Sequence, residues 1–344
     1  YNDMIAQDPD LILHMGDYIY EASWGPQVRR QSSTEATSLA DYRRIHAQYK
    51  TDSSLQAAHA QAAWLFIWDD HEVVNNWSGS KDLSADDRYN EKNVPTLIAR
   101  ATKAFLEYAP MRNFGDAERD RVYRHTPYGP HLDLYSIDMR SYRGPNSDNL
   151  QIVYDESAHL LGPDQLEWIK ASLMASRSTW KVICSDMPIG LQVGDGVTAN
   201  GVPRWEAVAN GEAGQPLGRE QEIANLLSFI KHNGIKNVVW ITADVHYAAA
   251  HHYSPNRAVF QDFYPFWEFV AGPLHSGAFG PGKLDATFGI EPDFVKAPSV
   301  QNEPPSDNNQ FFGQIDLDGG TGEMTVSLID RGGTAVYSKR LQPS

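Results

Sequence analysis

The chain has 344 residues, 41% of them apolar, and a formal net charge of −15, enough for one large domain or two small ones. The acidic balance argues against duplex nucleic acid, which needs a basic footprint, but leaves small phosphate substrates open, because bound cations invert the local field. No apolar run is long enough for a membrane helix, residues 1–10 do not read as a signal peptide, and the single cysteine, Cys184, allows no intrachain disulfide.

In chain order, "LILHMGDYIYE" (11–21) reads as a short buried strand that stops at Gly16-Asp17. Residues 34–50 and 53–63 have helical composition. "WLFIWDDHE" (64–72) is a second apolar strand ending in charge. "VPTLIARATKAFLEYAP" (94–110) is a helix with Pro near its start and Pro110 at its end. "LDLYSIDMR" (132–140) is a third strand. Pro163 and Asp164 open an amphipathic helix over 162–176, and "WKVICSDMP" (180–188) is a fourth strand. Residues 192–218 are Gly-rich and read as a long loop. A helix over 219–234 closes at Asn233-Gly234. "NVVWITADVH" (237–246) is a fifth strand, and "PFWEFVAGP" (265–273) one more. From Phe311 on, apolar and polar residues alternate between Gly-rich turns, the pattern of a three-strand antiparallel meander. The expected architecture is layered α/β with a β-rich C-terminal part, in one domain.

Five apolar runs end in "HMGDYIY", "WDDHEVVNN", "IDMRSYR", "CSDMP" and "ADVHY", each containing Asp. In open α/β sheets the carboxyl ends of strands are where ligands bind. Asp, Asn, His and Tyr suit hard and borderline metals, and the planar fork of Arg suits phosphate. Taken singly, each piece has a plainer reading: Asp17 as a turn carboxylate, residues 69–72 as a helix cap, Tyr18 and Tyr20 as packing aromatics, Arg140 and Arg143 in ion pairs. Their repetition at successive strand ends favours one convergent site. His251-His252 lies past the fifth strand and is a weaker ligand pair. "GAFGPGK" (277–283) fits the core of a phosphate loop, but Leu284 stands where Ser or Thr is required and Pro281 interrupts it. No G-x-S-x-G elbow is present, and Cys184 reads as a buried strand residue.

"LILHMGDYIYE", "WDDHEVVNNW", "DMRSYR" and "ITADVHYAAAHHY" together resemble the signature blocks of the PhoD-like alkaline phosphatases, which are similar to purple acid phosphatases within the metallophosphoesterase superfamily. The resemblance implies a layered double β-sandwich flanked by helices, with the C-terminal β meander, and residues 1–344 as a single metallophosphatase catalytic domain. It implies Asp17 as the acid bridging the metals, Tyr20 as a phenolate on ferric iron, and Asp70, Asp244 and His246 as further ligands. His71 matches the histidine of the superfamily's Gly-Asn-His-Glu block, Asn76 lies in its Asn-Asn tail, and Arg140 and Arg143 become candidates for phosphate contact.

The cofactors implied are Fe3+ and Ca2+, with other divalent metals open. The implied reaction is hydrolysis of phosphomonoesters or phosphodiesters by a metal-activated hydroxide, with His71 and Arg140 stabilising developing charge. Phospholipids are among the implied substrates, and the implied location is periplasmic or secreted. The alternatives are a phospholipase D-type phosphodiesterase on the same site and a metal- or phosphate-binding protein without catalysis. The resemblance also implies a strand ahead of "YNDMIAQDPD", bearing a cysteine ligand to iron, and an N-terminal β domain. Neither is matched here, and an upstream segment with an export signal is expected to supply them.

Overall fold

The computed structural model describes residues 1–23, 35–112, 114–115 and 118–344. A short helix α1 (Asn2–Ile5) leads into strand β1 (Leu11–Met15), which pairs in parallel with β2 (Ala63–Ile67). Between them lie α2 (Leu39–Tyr49) and α3 (Ser53–Gln61); α4 (Val94–Tyr108) follows β2. Ser38 starts α2 with a reciprocal capping box to Asp41, so the helix begins later than its composition suggests. Residue 34 of that expectation lies outside the described residues. Asp52 and Asn93 cap α3 and α4 through their side-chain oxygens, and α3 stops at Gln61 because Ala63 already belongs to β2.

The main sheet has seven strands in the order β13-β10-β11-β9-β5-β4-β3. They are β3 (Arg124–Tyr128), β4 (Leu132–Ser136), β5 (Trp180–Cys184), β9 (Val238–Thr242), β10 (Ala248–Tyr253), β11 (Phe266–Val270) and β13 (Ile290–Lys296). The run β4-β5-β9-β11 is parallel, and the outer pairs are antiparallel. Helices α5 (Pro163–Ala175) and α6 (Glu220–His232) form the crossovers into β5 and β9. The expected loop over 192–218 is not structureless: the tail of β6 (Leu191–Gln192) is followed by a hairpin of β7 (Gly194–Val197) and β8 (Pro203–Trp205). β12 (Lys283–Leu284) pairs with β6. The meander is present as an antiparallel sheet of β14 (Phe311–Leu317), β15 (Met324–Asp330) and β16 (Ala335–Leu341).

Three buried clusters show the layering. Ile12, Trp64 and Phe66 pack beneath α2 and α4 with Tyr42, Ile45, Leu97 and Phe105. Leu11, Leu13 and Met15, on the opposite face of β1, join Leu134, Val182, Val239 and Phe269 of the main sheet and Val326 of β15. Ile183 and Trp240, on the far face of the main sheet, pack with Ile169, Leu173 and Leu226 of α5 and α6. Sheets thus face one another with helices outside both.

Candidate metal centre

Gly16 leaves β1 at φ +98°, and a Cβ there would lie 2.4 Å from Cβ of Asp69, so glycine lets the ends of β1 and β2 meet. Glu72 locks that meeting: its carboxylate accepts the N–H of Asp17 (3.0 Å), Tyr18 (2.7 Å) and Asp69 (2.8 Å). Four expected site residues then adopt left-handed backbone: Asp17 (φ +52°), Asn76 (+51°), Asp244 (+62°) and His246 (+60°). For non-glycine residues this is uncommon, and such strain clusters at functional sites.

Asp17 is the hub. Its Oδ2 accepts the Tyr20 hydroxyl at 2.8 Å and lies 3.7 Å from His246 Nε2, while its Oδ1 accepts the His71 N–H at 3.3 Å. The Tyr20 oxygen is 3.2 Å from His246 Nε2. His246 Nδ1 lies 2.7 Å from the Gly277 carbonyl, a contact only a protonated Nδ1 can make, which leaves Nε2, on the Asp17 side, as the ring nitrogen that could hold a metal. The Asn76 amide nitrogen donates to Asp195 at 3.0 Å, so its amide oxygen is the atom it could offer a cation, and its backbone N–H donates to Asp70 at 2.6 Å.

Two groups can each gather a cation: Asp17, Asp70 and His71, and Asp69, Asp70 and Asp244, each with ligand atoms within 4.8 Å of one another. Burial and the neighbouring carboxylates push the Asp69 and Asp244 carboxyls well above their ordinary range, despite Arg140 close by. Burial works against Asp17 too, but His71 and the bonds from His246 and Tyr20 outweigh it and hold that carboxyl below the usual range. Burial and Asp17 raise the Tyr20 phenol well above its usual value, so without a cation it stays protonated. Buried acids in surplus over cationic side chains are the donor chemistry of hard cations.

Arg140 sits among acids. It is fully buried, its Nε donates to Asp69 (2.7 Å) and Asp186 (2.9 Å), and its terminal nitrogens pair with Glu206 and Asp69, with Asp244 at 3.7 Å. The guanidinium stands among the carboxylates as their counter-charge. Arg143 is buried beside it: one terminal nitrogen donates to the Glu206 carbonyl, while Nε and Nη1 have no hydrogen-bond partner among the described residues.

Not every strand-end acid reaches the centre. Asp138 caps the turn after β4 by accepting the Arg140 and Ser141 N–H groups, and Asp186 serves Arg140. His251 is buried against Glu268 at 2.8 Å, and His252 contacts Arg257. Gly277–Lys283 forms no phosphate loop: Gly277 serves His246, and β12 follows where a helix would be required. Cys184 is buried, its thiol pushed up to about 12 by desolvation.

Sequence reasoning missed Asp69 as a member of the acidic cluster, Glu206 from the Gly-rich segment, and Glu72. Adjacent acids cannot be ranked until the strand's exit direction is known. The uninterrupted "DDHE" was the available signal for Asp69 and Glu72; Glu206 had none.

A family model described as PhoD-like phosphatase matches residues 1–328. The chain is 32% identical over 307 residues to alkaline phosphatase D of Bacillus subtilis (strain 168), an alignment covering 82% of this chain and 49% of that protein. A solved structure, "Structure of PhoD", superposes with a TM-score of 0.71 at 24% identity, covering 100% of this chain and 66% of the other. The chain thus spans about half the length of the curated relative it matches.

Proposed function

The chain belongs to the PhoD-like phosphatase family, and from that premise we propose that it hydrolyses phosphate esters at a centre that binds ferric iron and calcium. The observation that carries this reading is the convergence of Asp17, Tyr20 and His246 within hydrogen-bonding reach, beside the acids Asp69, Asp70 and Asp244.

Asp17, Tyr20 and His246 would hold the ferric ion, and Asp17 with Asp70, Asp244 and the Asn76 amide oxygen would hold the second cation. Cations bound there would supply a nucleophile at neutral pH and neutralise charge on the phosphoryl oxygens. Arg143, with two unspent donors, orients the phosphate, and His71 holds a proton for the leaving oxygen. Arg140 keeps Asp69 and Asp244 in place. Phosphomonoesters and phosphodiesters, phospholipids included, fit such a site, and the kinship favours a periplasmic or secreted location. No described helix is long and apolar enough to cross a membrane.

We read the facing sheets as the family's double β-sandwich. β1 and β14 each have one edge unpaired among the described residues, and both line a groove of about 580 Å3 that runs to Asp17 and His246.

The test measures metal per chain and turnover of mono-aryl and bis-aryl phosphates before and after metal stripping. Turnover lost on stripping and restored by iron with calcium supports the reading; a rate indifferent to metal overturns it.

A further inference from the structure

We propose that Asp195, on β7, is a positioning residue that fixes the side-chain amide of Asn76 in one orientation, with Nδ2 on Asp195 and Oδ1 left for the second cation. The role rests on the metal-centre reading above and brings the β7–β8 hairpin into that centre.

Asn76 lies beyond β2 in left-handed backbone (φ +51°), and its N–H is bound to Asp70. The backbone is thus held, but the amide is not. Turning the amide over exchanges oxygen for nitrogen with almost no change in shape, so packing cannot choose between the two. A hydrogen-bond partner can. Asp195 is that partner: its Oδ1 accepts Asn76 Nδ2 at 3.0 Å. The Asn76 Oδ1 has no hydrogen-bond partner among the described residues.

The far side of Asp195 sets the direction of this bond. Its Oδ2 accepts Nδ2 of Asn146 at 3.0 Å, and Oδ1 of Asn146 accepts a terminal nitrogen of Arg219 at 2.8 Å. Arg219 is buried, and a guanidinium can only donate. So Arg219 donates to Asn146, Asn146 donates to Asp195, and the carboxylate offers Asn76 nothing but an acceptor. A reversed Asn76 would set its oxygen against the carboxylate, and a reversed Asn146 would set its NH2 against Arg219. Lys81, 3.6 Å from Asp195 Oδ1, supplies the counter-charge.

The hairpin itself needs a brace, because β7 and β8 form a two-stranded sheet of their own, and such a sheet is marginal alone. The segment after β4 provides it. The Trp205 N–H donates to the Ser147 carbonyl at 2.7 Å. Arg219 bonds the carbonyls of Gly144 and Pro145 on one side and those of Trp205 and Glu206 on the other. One buried cation thus ties both segments together and, through Asn146, orients Asp195 and Asn76.

The experiment titrates calcium into iron-loaded wild type, Asp195→Ala, Asn76→Ala and the double variant by calorimetry, with iron per chain measured for each. Asp195→Ala should raise the calcium dissociation constant by about tenfold or more, the scale of losing the support behind a metal ligand, and leave iron per chain unaltered. Asn76→Ala should raise it at least as much. The double variant should be no weaker than Asn76→Ala alone, because Asp195 acts through Asn76. Proton–nitrogen NMR of metal-free protein supplies a readout without metal. The side-chain NH2 pair of Asn76, assigned by its absence from Asn76→Ala, should shift and exchange faster with water in Asp195→Ala. Unchanged calcium affinity in Asp195→Ala, losses that add in the double variant, loss of iron, or an unmoved NH2 pair would overturn the proposal. A wild type that takes up no calcium overturns the metal-centre reading and the affinity half of this proposal; the NH2 pair still decides whether Asp195 holds the amide.

Discussion

At the scale of single residues, Asp17, Tyr20 and Arg140 are expected to do three different things. Asp17→Asn removes the charge that would face both cations. It should lower metal content and cut turnover by about 100-fold or more, the scale of losing an electrostatic group at a reacting centre; a variant keeping a tenth of the activity would show that Asp17 is no bridge. Tyr20 as a phenolate should give iron-loaded protein a visible charge-transfer band that Tyr20→Phe abolishes. An unchanged band would remove Tyr20 from the iron. Arg140→Ala should act first on stability, costing about 3–5 kcal/mol because it strands Asp69, Asp186 and Glu206 as unpaired buried acids. Urea unfolding of metal-free protein checks this, and a loss confined to KM would return Arg140 to the phosphate. Asp17, Asp70, Asp244 and His246 were legible in the sequence because each sits where a short apolar run stops. Glu206 and the ion pairs of Arg140 were not. Their roles come from partners 66 to 71 positions away in the chain, which only the packed sheets reveal.

At the scale of elements, β1 and α2 bury two histidines that answer to pH. His14 on β1 and His46 on α2 are both buried, and no ring nitrogen of either has a hydrogen-bond partner among the described residues. Burial lowers each to about 3, helped by neighbouring cationic groups. Folded values lie below the unfolded 6.5, so the unfolded chain takes up protons that the folded one refuses. Stability is therefore full above pH 6.5 and is lost as pH falls from there toward 3, by about 2 kcal/mol per histidine at pH 5. Melting temperatures measured from pH 7 to 5 should fall, and His46→Phe should flatten the fall. An identical slope in the variant would contradict the assignment. The same elements show how far patterning carries. Strands with β-branched and aromatic runs, such as β5 and β9, announce themselves. β10 reads "AAAHHY" and has no strand signal of its own; its conformation is imposed by β11 and β13 on either side. β3 and β13 lie at the two edges of the main sheet, and each holds a proline that only an edge strand tolerates.

At the scale of the whole molecule, the layers place the carboxyl ends of β1, β2 and β9 together and leave a groove between the free edges of β1 and β14. The central claim remains that these strand ends make a hydrolytic metal centre. Its most direct test is the hydrolysis rate of a bis-aryl phosphate after metal stripping, measured as iron and calcium are added back to wild type and to Asp17→Asn. The account predicts no turnover when stripped, recovery in wild type that tracks bound metal, and none in the variant. A metal-independent rate, or equal recovery in Asp17→Asn, would contradict it.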